Sequence, residues 1–153
     1  MTNLRLIRMH PKHDECWTLM PHLERRLTEW AIRFGQGHVE GFTGKVKAAF
    51  VLGLDTVATW VMVNAEGQIV GHLVAIEDDY SGRKVGFVVQ LAADVRVPET
   101  IQADAKFELD AWARGKGFKE ILMLTRRANM RAWRRWGFTL YRFLLRKDLS
   151  ADG

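Results

Sequence analysis

Three pieces of residues 86–148 decide the fold: Gly86-Phe87-Val88-Val89-Gln90-Leu91, then Asp94-Val95-Arg96-Val97-Pro98-Glu99-Thr100, then Glu120-Ile121-Leu122-Met123-Leu124. The first and last are of strand length, and the continuous apolar run from Ile121 to Leu124 is as expected of a strand covered on both faces. Between them Ile101, Ala105, Leu109 and Trp112 recur at helical spacing, which predicts a helix from about residue 98 to 115 with that stripe buried on the sheet. Pro98 stands where the first turn tolerates proline, and Gly115 and Gly117 mark the stop. A short helix over residues 129–136 and a last strand over 137–145 complete the stretch.

Working outward toward the start, Leu4, Ile7 and Met9 interleaved with Arg5 and Arg8 predict a first strand. Asp14 is placed to cap a helix carrying Trp17, Leu19, Met20, Leu23, Leu27, Trp30 and Ile32, with Pro21 expected to kink or split it. Gly35-Gln36-Gly37-His38 reads as a loop, and Thr43 as the cap of a second helix bearing Val46, Ala49, Phe50 and Leu54. Residues 60–63 and 69–76 flank Asn64-Ala65-Glu66-Gly67, a hairpin signal, and Asp78-Asp79-Tyr80-Ser81-Gly82 reads as a second turn. The order is strand, two helices, three strands, helix, strand, helix, strand. It predicts one α/β domain over residues 1–153, with a mixed, mostly antiparallel central sheet flanked by helices.

The bulk properties narrow the function classes. A chain of 153 residues with 48% hydrophobic content is long enough for one core and too apolar for a disordered segment. The net charge of +5 suits an anionic ligand, a nucleic acid or solubility alone. The single cysteine, Cys16, rules out an internal disulfide and suggests a reducing compartment. Met1-Thr2-Asn3-Leu4-Arg5 lacks the apolar core of a signal peptide, and apolar runs such as residues 48–52 are too short to span a bilayer. A cytoplasmic location without membrane association is the resulting expectation. His10-Pro11-Lys12-His13-Asp14-Glu15-Cys16 holds metal-ligand residue types, but its spacing fits no zinc pattern, and no metal is expected.

The element order resembles that of the GNAT superfamily of acyl-CoA N-acyltransferases. Trp112-Ala113-Arg114 through Gly117 and then residues 120–124 look like that family's central helix and fifth strand. Asn129, Ala132, Trp133 and Gly137-Phe138 are similar to its closing asparagine-alanine-aromatic-glycine-phenylalanine pattern, with Trp133 where many members carry a tyrosine. The glycines of the family's phosphate loop fall near Thr100 and Gln102, so that loop is altered here. The resemblance implies a sheet splayed between its fourth and fifth strands and transfer of an acetyl or other acyl group from acyl-CoA to an amine. It places the cofactor against Val89, Gln90 and Leu91, its phosphates near Arg96, Thr100 and Ile101, and Asn129 and Trp133 opposite.

Helix N-termini bind phosphate through backbone N–H groups, and an arginine beside one adds a charge-assisted bond. Thr100 offers a hydroxyl and an N-cap, and Arg96 a cation. Arg126, Arg127, Arg131, Arg134 and Arg135 form a basic patch that reads as a phosphate grip or as a solvated face. No nucleic-acid module signature accompanies it, so nucleic acid ranks below CoA as its partner. Amine deprotonation needs a base, for which Glu77, Asp78 and His72 are candidates, though His72, alternating in a strongly apolar strand, reads first as a satisfied core histidine. Tyr141 is the candidate acid for a leaving thiolate. A different class stays open beside the enzyme: a structural or binding module of this fold that does not turn over CoA, as part of a larger assembly. The acceptor, a small molecule or a protein amine, and any homo-oligomeric state stay open as well.

Overall fold

The computed structural model describes residues 3–33, 39–124, 130–139 and 147. Their elements are β1 (Arg5–Arg8), α1 (Asp14–Arg33), α2 (Val39–Leu52), β2 (Val57–Val63), β3 (Ile69–Tyr80), β4 (Arg83–Ala93), α3 (Glu99–Gly115), β5 (Ile121–Met123) and α4 (Met130–Arg135). The strands form one sheet in chain order, antiparallel from β1 to β4, with β4 and β5 parallel across the α3 crossover. This is a single mixed, mostly antiparallel α/β sheet flanked by helices, as the sequence predicts.

Alternation along the strands sorts two cores. Val61, Val63 and Val74 turn toward α1 and α2, where Leu19, Leu23, Leu27, Val46 and Phe50 bury against them. Ala58, Trp60, Leu73, Ala75 and Val88 turn the other way, toward Ala105, Leu109 and Trp112 of α3. The α3 stripe is thus buried as its spacing predicts, except that Ile101 at its start is only half-buried. Trp112 packs so closely on β4 that a Cβ added at Gly86 would come within 3.0 Å of its ring, and its indole donates to the Asp55 carbonyl at 3.0 Å.

Two irregularities shape the site. In β4 the register against β3 shifts between Val74↔Gln90 and Ala75↔Val88, which leaves Val89 as an extra residue, a bulge. Among the described residues, pairing of β4 with β5 ends at Val88↔Met123, while β4 continues to Ala93.

Several local expectations are corrected. α1 runs unbroken through Pro21, whose missing N–H removes one helical bond while buried Leu19, Met20, Leu23 and Leu27 hold the helix on both sides. α2 begins at Val39 and not at Thr43. β3 extends to Tyr80, so Glu77 and Asp78 lie on the strand; the turn is Ser81-Gly82, both at positive φ and joining Tyr80 to Arg83. Pro98, not Thr100, precedes the first helical residue of α3, with no side-chain cap. The expected loop at Gly35-Gln36-Gly37-His38 and the last strand from Leu140 onward lie outside the described residues.

Candidate functional site

Where β4 runs past its pairing with β5, a cleft of about 750 Å³ opens on the α3 face of the sheet. Its floor consists of two neighbouring cross-strand rows. One row is Leu6, Met62, Gly71 and Ala93, each paired with the next; the other is Trp60, Leu73 and Leu91. Such directly opposed side chains lie about 4.5–5.5 Å apart and form a continuous surface. Gly71 shapes the first row, because a Cβ there would meet Met62 Cε at 3.1 Å and the Ala92 carbonyl at 3.1 Å. Trp60 is fully buried and its indole donates to Glu108 of α3.

The walls come from the residues before α3, from its first turns and from α4. Arg96, Val97, Pro98, Glu99, Ile101, Gln102 and Ala105 stand on one side, and Ala132, Trp133, Arg135 and Trp136 on the other. Trp133 and Trp136 meet edge-to-face at 5.7 Å, so α4 presents an aromatic wall. Gln102 N–H makes the first helical bond, to the Pro98 carbonyl at 3.0 Å, and the Gln102 amide donates to the Val97 carbonyl at 3.0 Å. The N–H groups of Glu99, Thr100 and Ile101 therefore precede the helical ladder, at the positive end of the α3 dipole. Arg96 and Arg135 on facing walls, against Glu99 alone, give the rim net positive charge.

Of the residues singled out from sequence, Leu91, Arg96, Ile101, Trp133 and Arg135 line this cleft together, as does His72, whose ring turns to the other face of the sheet. Val89 is the bulged residue, half-buried, and Thr100 is exposed on the first turn; neither lines the cleft. Gln90 turns to the opposite face, where its carbonyl oxygen meets His72 Nε2 at 2.9 Å. Asn129 and Tyr141 lie outside the described residues. Glu77 does not line the cleft: Lys84 at 3.0 Å and Lys116 at 3.3 Å flank its carboxylate, and the Lys84 hydrogen bond leads in holding it below the usual carboxylate range. Asp78 is exposed beside it and accepts the Asp79 N–H at 2.8 Å.

Beneath the bulge, on the α1 side, runs a polar chain that the sequence did not reveal. Arg26 of α1 grips Asp94 with two bonds of 2.6 and 2.9 Å, and its Nε donates to His72 Nδ1 at 2.8 Å. With Nδ1 accepting, the neutral ring carries its proton on Nε2 and donates to Gln90. Burial pushes the His72 pKa down to about 4, the Arg26 charge acting in the same direction and the Gln90 bond against it. Both nitrogens are engaged, so His72 is a satisfied core histidine in this arrangement and not a poised base. The residues of the chain that sequence reasoning missed, Arg26 and Asp94, lie 68 positions apart and carry no local pattern.

This architecture is the GNAT acetyltransferase fold: a mixed sheet whose fourth strand runs past its pairing with the fifth, with the crossover helix starting at the cleft. No protein-family model matches the sequence and no curated protein matches it. Solved structures do. A predicted acetyltransferase with acetyl-CoA from Clostridium acetobutylicum superposes with a TM-score of 0.68 at 13% identity, over 98% of this chain and 97% of that one. Glucosamine-6-phosphate N-acetyltransferase from Arabidopsis thaliana gives 0.65 at 13% identity, over 96% and 99%. The aminoglycoside N-acetyltransferase AAC(6')-Iy in complex with CoA gives 0.65 at 15% identity, over 97% and 97%.

Proposed function

We propose that this protein transfers an acyl group from acyl-CoA to the amine of a small molecule. The observation that carries the reading is the cleft itself: it lies where β4 runs past its pairing with β5, with a helix N-terminus and two arginines at its rim and apolar walls within. An acyl-CoA has the matching polarity, anionic phosphates at one end and a thin, largely uncharged arm at the other. Arg96 and the first-turn N–H groups of α3 suit the pyrophosphate. Leu91, Ile101 and Trp133 suit the arm. The solved structures with CoA, and the glucosamine-6-phosphate and aminoglycoside acetyltransferases among them, support a CoA donor and a small amine acceptor.

In this reading the acceptor nitrogen attacks the thioester carbonyl carbon, the C–S bond breaks, the nitrogen gives its proton to a carboxylate or to solvent, and the departing thiolate takes one from a proton donor. Positioning of the two reactants supplies the main acceleration. Glu77 and Asp78, two and three positions beyond the Ala75 that faces the bulge, are the carboxylates proposed to assist deprotonation; Asp78 is the freer, because Lys84 and Lys116 occupy Glu77. Asn129 and Tyr141 keep their proposed roles, opposite the cofactor and as proton donor to the thiolate.

One observation favours the binding-module reading instead: neither carboxylate lines the cleft. A calorimetric titration with acetyl-CoA, followed by an assay of thiol release across a panel of amines, separates the two. Binding with amine-dependent thiol release is expected. Binding without release under every amine would favour the module, and no binding of CoA or acetyl-CoA would end both CoA readings.

A further inference from the structure

The floor of the cleft is much larger and more apolar than an acetyl group needs. One of its rows runs across four strands, from Ala93 on β4 to Leu6 on β1, and the other across three, from Leu91 to Trp60. Along the longer row, three strand spacings make a trough about 14 Å wide in the direction away from the arginines. Small side chains on its walls keep it open: Ala105 on α3 and Ala132 on α4. Its volume of about 750 Å³ is on the scale of sites that bury whole small molecules, typically about 300–1,000 Å³. Trp60, Met62 and Leu73 of that floor are already buried. A two-carbon acyl group would nonetheless leave the half-buried Leu6, at the far end from Leu91, facing water, which is unfavourable in proportion to area.

We infer that the trough holds the hydrocarbon tail of a medium-chain acyl donor, and that the preferred donor is a fatty acyl-CoA and not acetyl-CoA. The inference rests on the acyl-CoA reading above and deepens it. Charge complementarity decides in favour of the donor over the acceptor as the source of the chain. The cations Arg96 and Arg135 stand on the walls of the same cleft whose floor is Leu6, Trp60, Met62, Leu73 and Leu91. A single ligand with phosphates at one end and a hydrocarbon chain at the other satisfies both halves.

The test is the dissociation constant of the intact protein for CoA, acetyl-, butyryl-, hexanoyl- and octanoyl-CoA. Full burial tightens binding about fourfold per methylene, the conversion of ~0.8 kcal/mol per CH₂. The expected result is a steady gain with length that leaves octanoyl-CoA at least about tenfold tighter than acetyl-CoA, the floor set by partial burial. Leu6→Trp, at the far end of the trough, should reduce that gain. If this variant fails to fold, Ala132→Phe on the exposed side of α4 narrows the trough from the other wall and should do the same. A flat series, with CoA and acetyl-CoA bound as well as octanoyl-CoA, overturns the chain-length inference and leaves the acyltransferase reading standing. Failure of every CoA species, free CoA included, overturns both. A flat series together with octylamine binding that Ala132→Phe abolishes assigns the trough to the acceptor and likewise overturns the inference.

Discussion

Under α1 and α2 the sheet face is closed, with Val61, Val63 and Val74 packed against Leu23 and Leu27. Across the same strands the α3 face is packed around Trp60, Leu73, Leu109 and Trp112, and a cleft runs beside them in which Leu6 and Leu91 are only half-buried. The difference lies in the helices. α1 carries buried residues from Cys16 to Ala31, whereas the buried residues of α3 begin at Ala105, two turns inside its start. A helix whose first turns stand off the sheet leaves a cavity beside its N-terminus. The closed face supplies stability and the open one a place for a ligand.

The largest effect should come from the packed half of the α3 face. Trp112→Ala removes a buried indole and its bond to the Asp55 carbonyl, and should cost about 3–5 kcal/mol in denaturant unfolding. A loss below about 1 kcal/mol, the size of an ordinary surface change, would mean that this half is as loosely filled as the cleft.

The closed face can be probed by pH. His72 has a folded pKa of about 4 against an ordinary 6.5. Between those values the unfolded chain binds the proton that the native state refuses, so stability is complete above pH 6.5, falls as pH drops and levels off near pH 4 for this group. The full difference is on the order of 3 kcal/mol. Asp94, held low chiefly by its Arg26 hydrogen bond, adds a further loss at lower pH. Unfolding free energies measured between pH 7 and 4 should show the slope for wild type, and His72→Gln should flatten it. An unchanged slope in the variant would remove His72 as its source.

Arg96→Ala tests the open face. It should weaken acetyl-CoA binding by about 1.5–3 kcal/mol, the scale of a charge-assisted hydrogen bond, with the melting temperature nearly unchanged. A fall in stability of similar size would show that Arg96 holds the loop instead of the ligand. The smallest effect is expected at Phe107, on the outer side of α3 and 73% exposed: Phe107→Ser should stay within about 0.5 kcal/mol of wild type in the same melts.

Much of this was readable in the residues, for identifiable reasons. The α3 stripe follows from helical period alone, and the apolar run around Leu122 marks a strand covered on both sides. From those, and from a resemblance carried by Trp112, Ala132, Trp133 and Phe138, the fold followed, and several cleft-lining residues with it, among them Leu91, Arg96, Ile101, Trp133 and Arg135. The floor was not readable, because Leu6, Met62 and Gly71 become neighbours only through strand register. The Arg26 link to Asp94 was hidden by sequence distance. Glu77 looked like a base because Lys116 is far away in the chain, and the fold brings it to 3.3 Å. The bulge was hidden because residues 87–89 are uniformly apolar, with no alternation for an extra residue to interrupt.

That extra residue has a consequence for how the chain tolerates change. Up to Val88, β4 sends alternate side chains toward α3; after Val89 the assignment resumes one position later, so Leu91 reaches the cleft and Gln90 reaches His72. The spacing from Val88 to Leu91 is an odd number of residues, and that parity is a structural quantity in its own right. Deletion of Val89 would leave Val88, Gln90 and Leu91 in plain alternation on the faces they already use, so the extra residue sets the local bend of the strand. One more residue inserted beside it would instead send Gln90 to the apolar trough and Leu91 to the buried histidine.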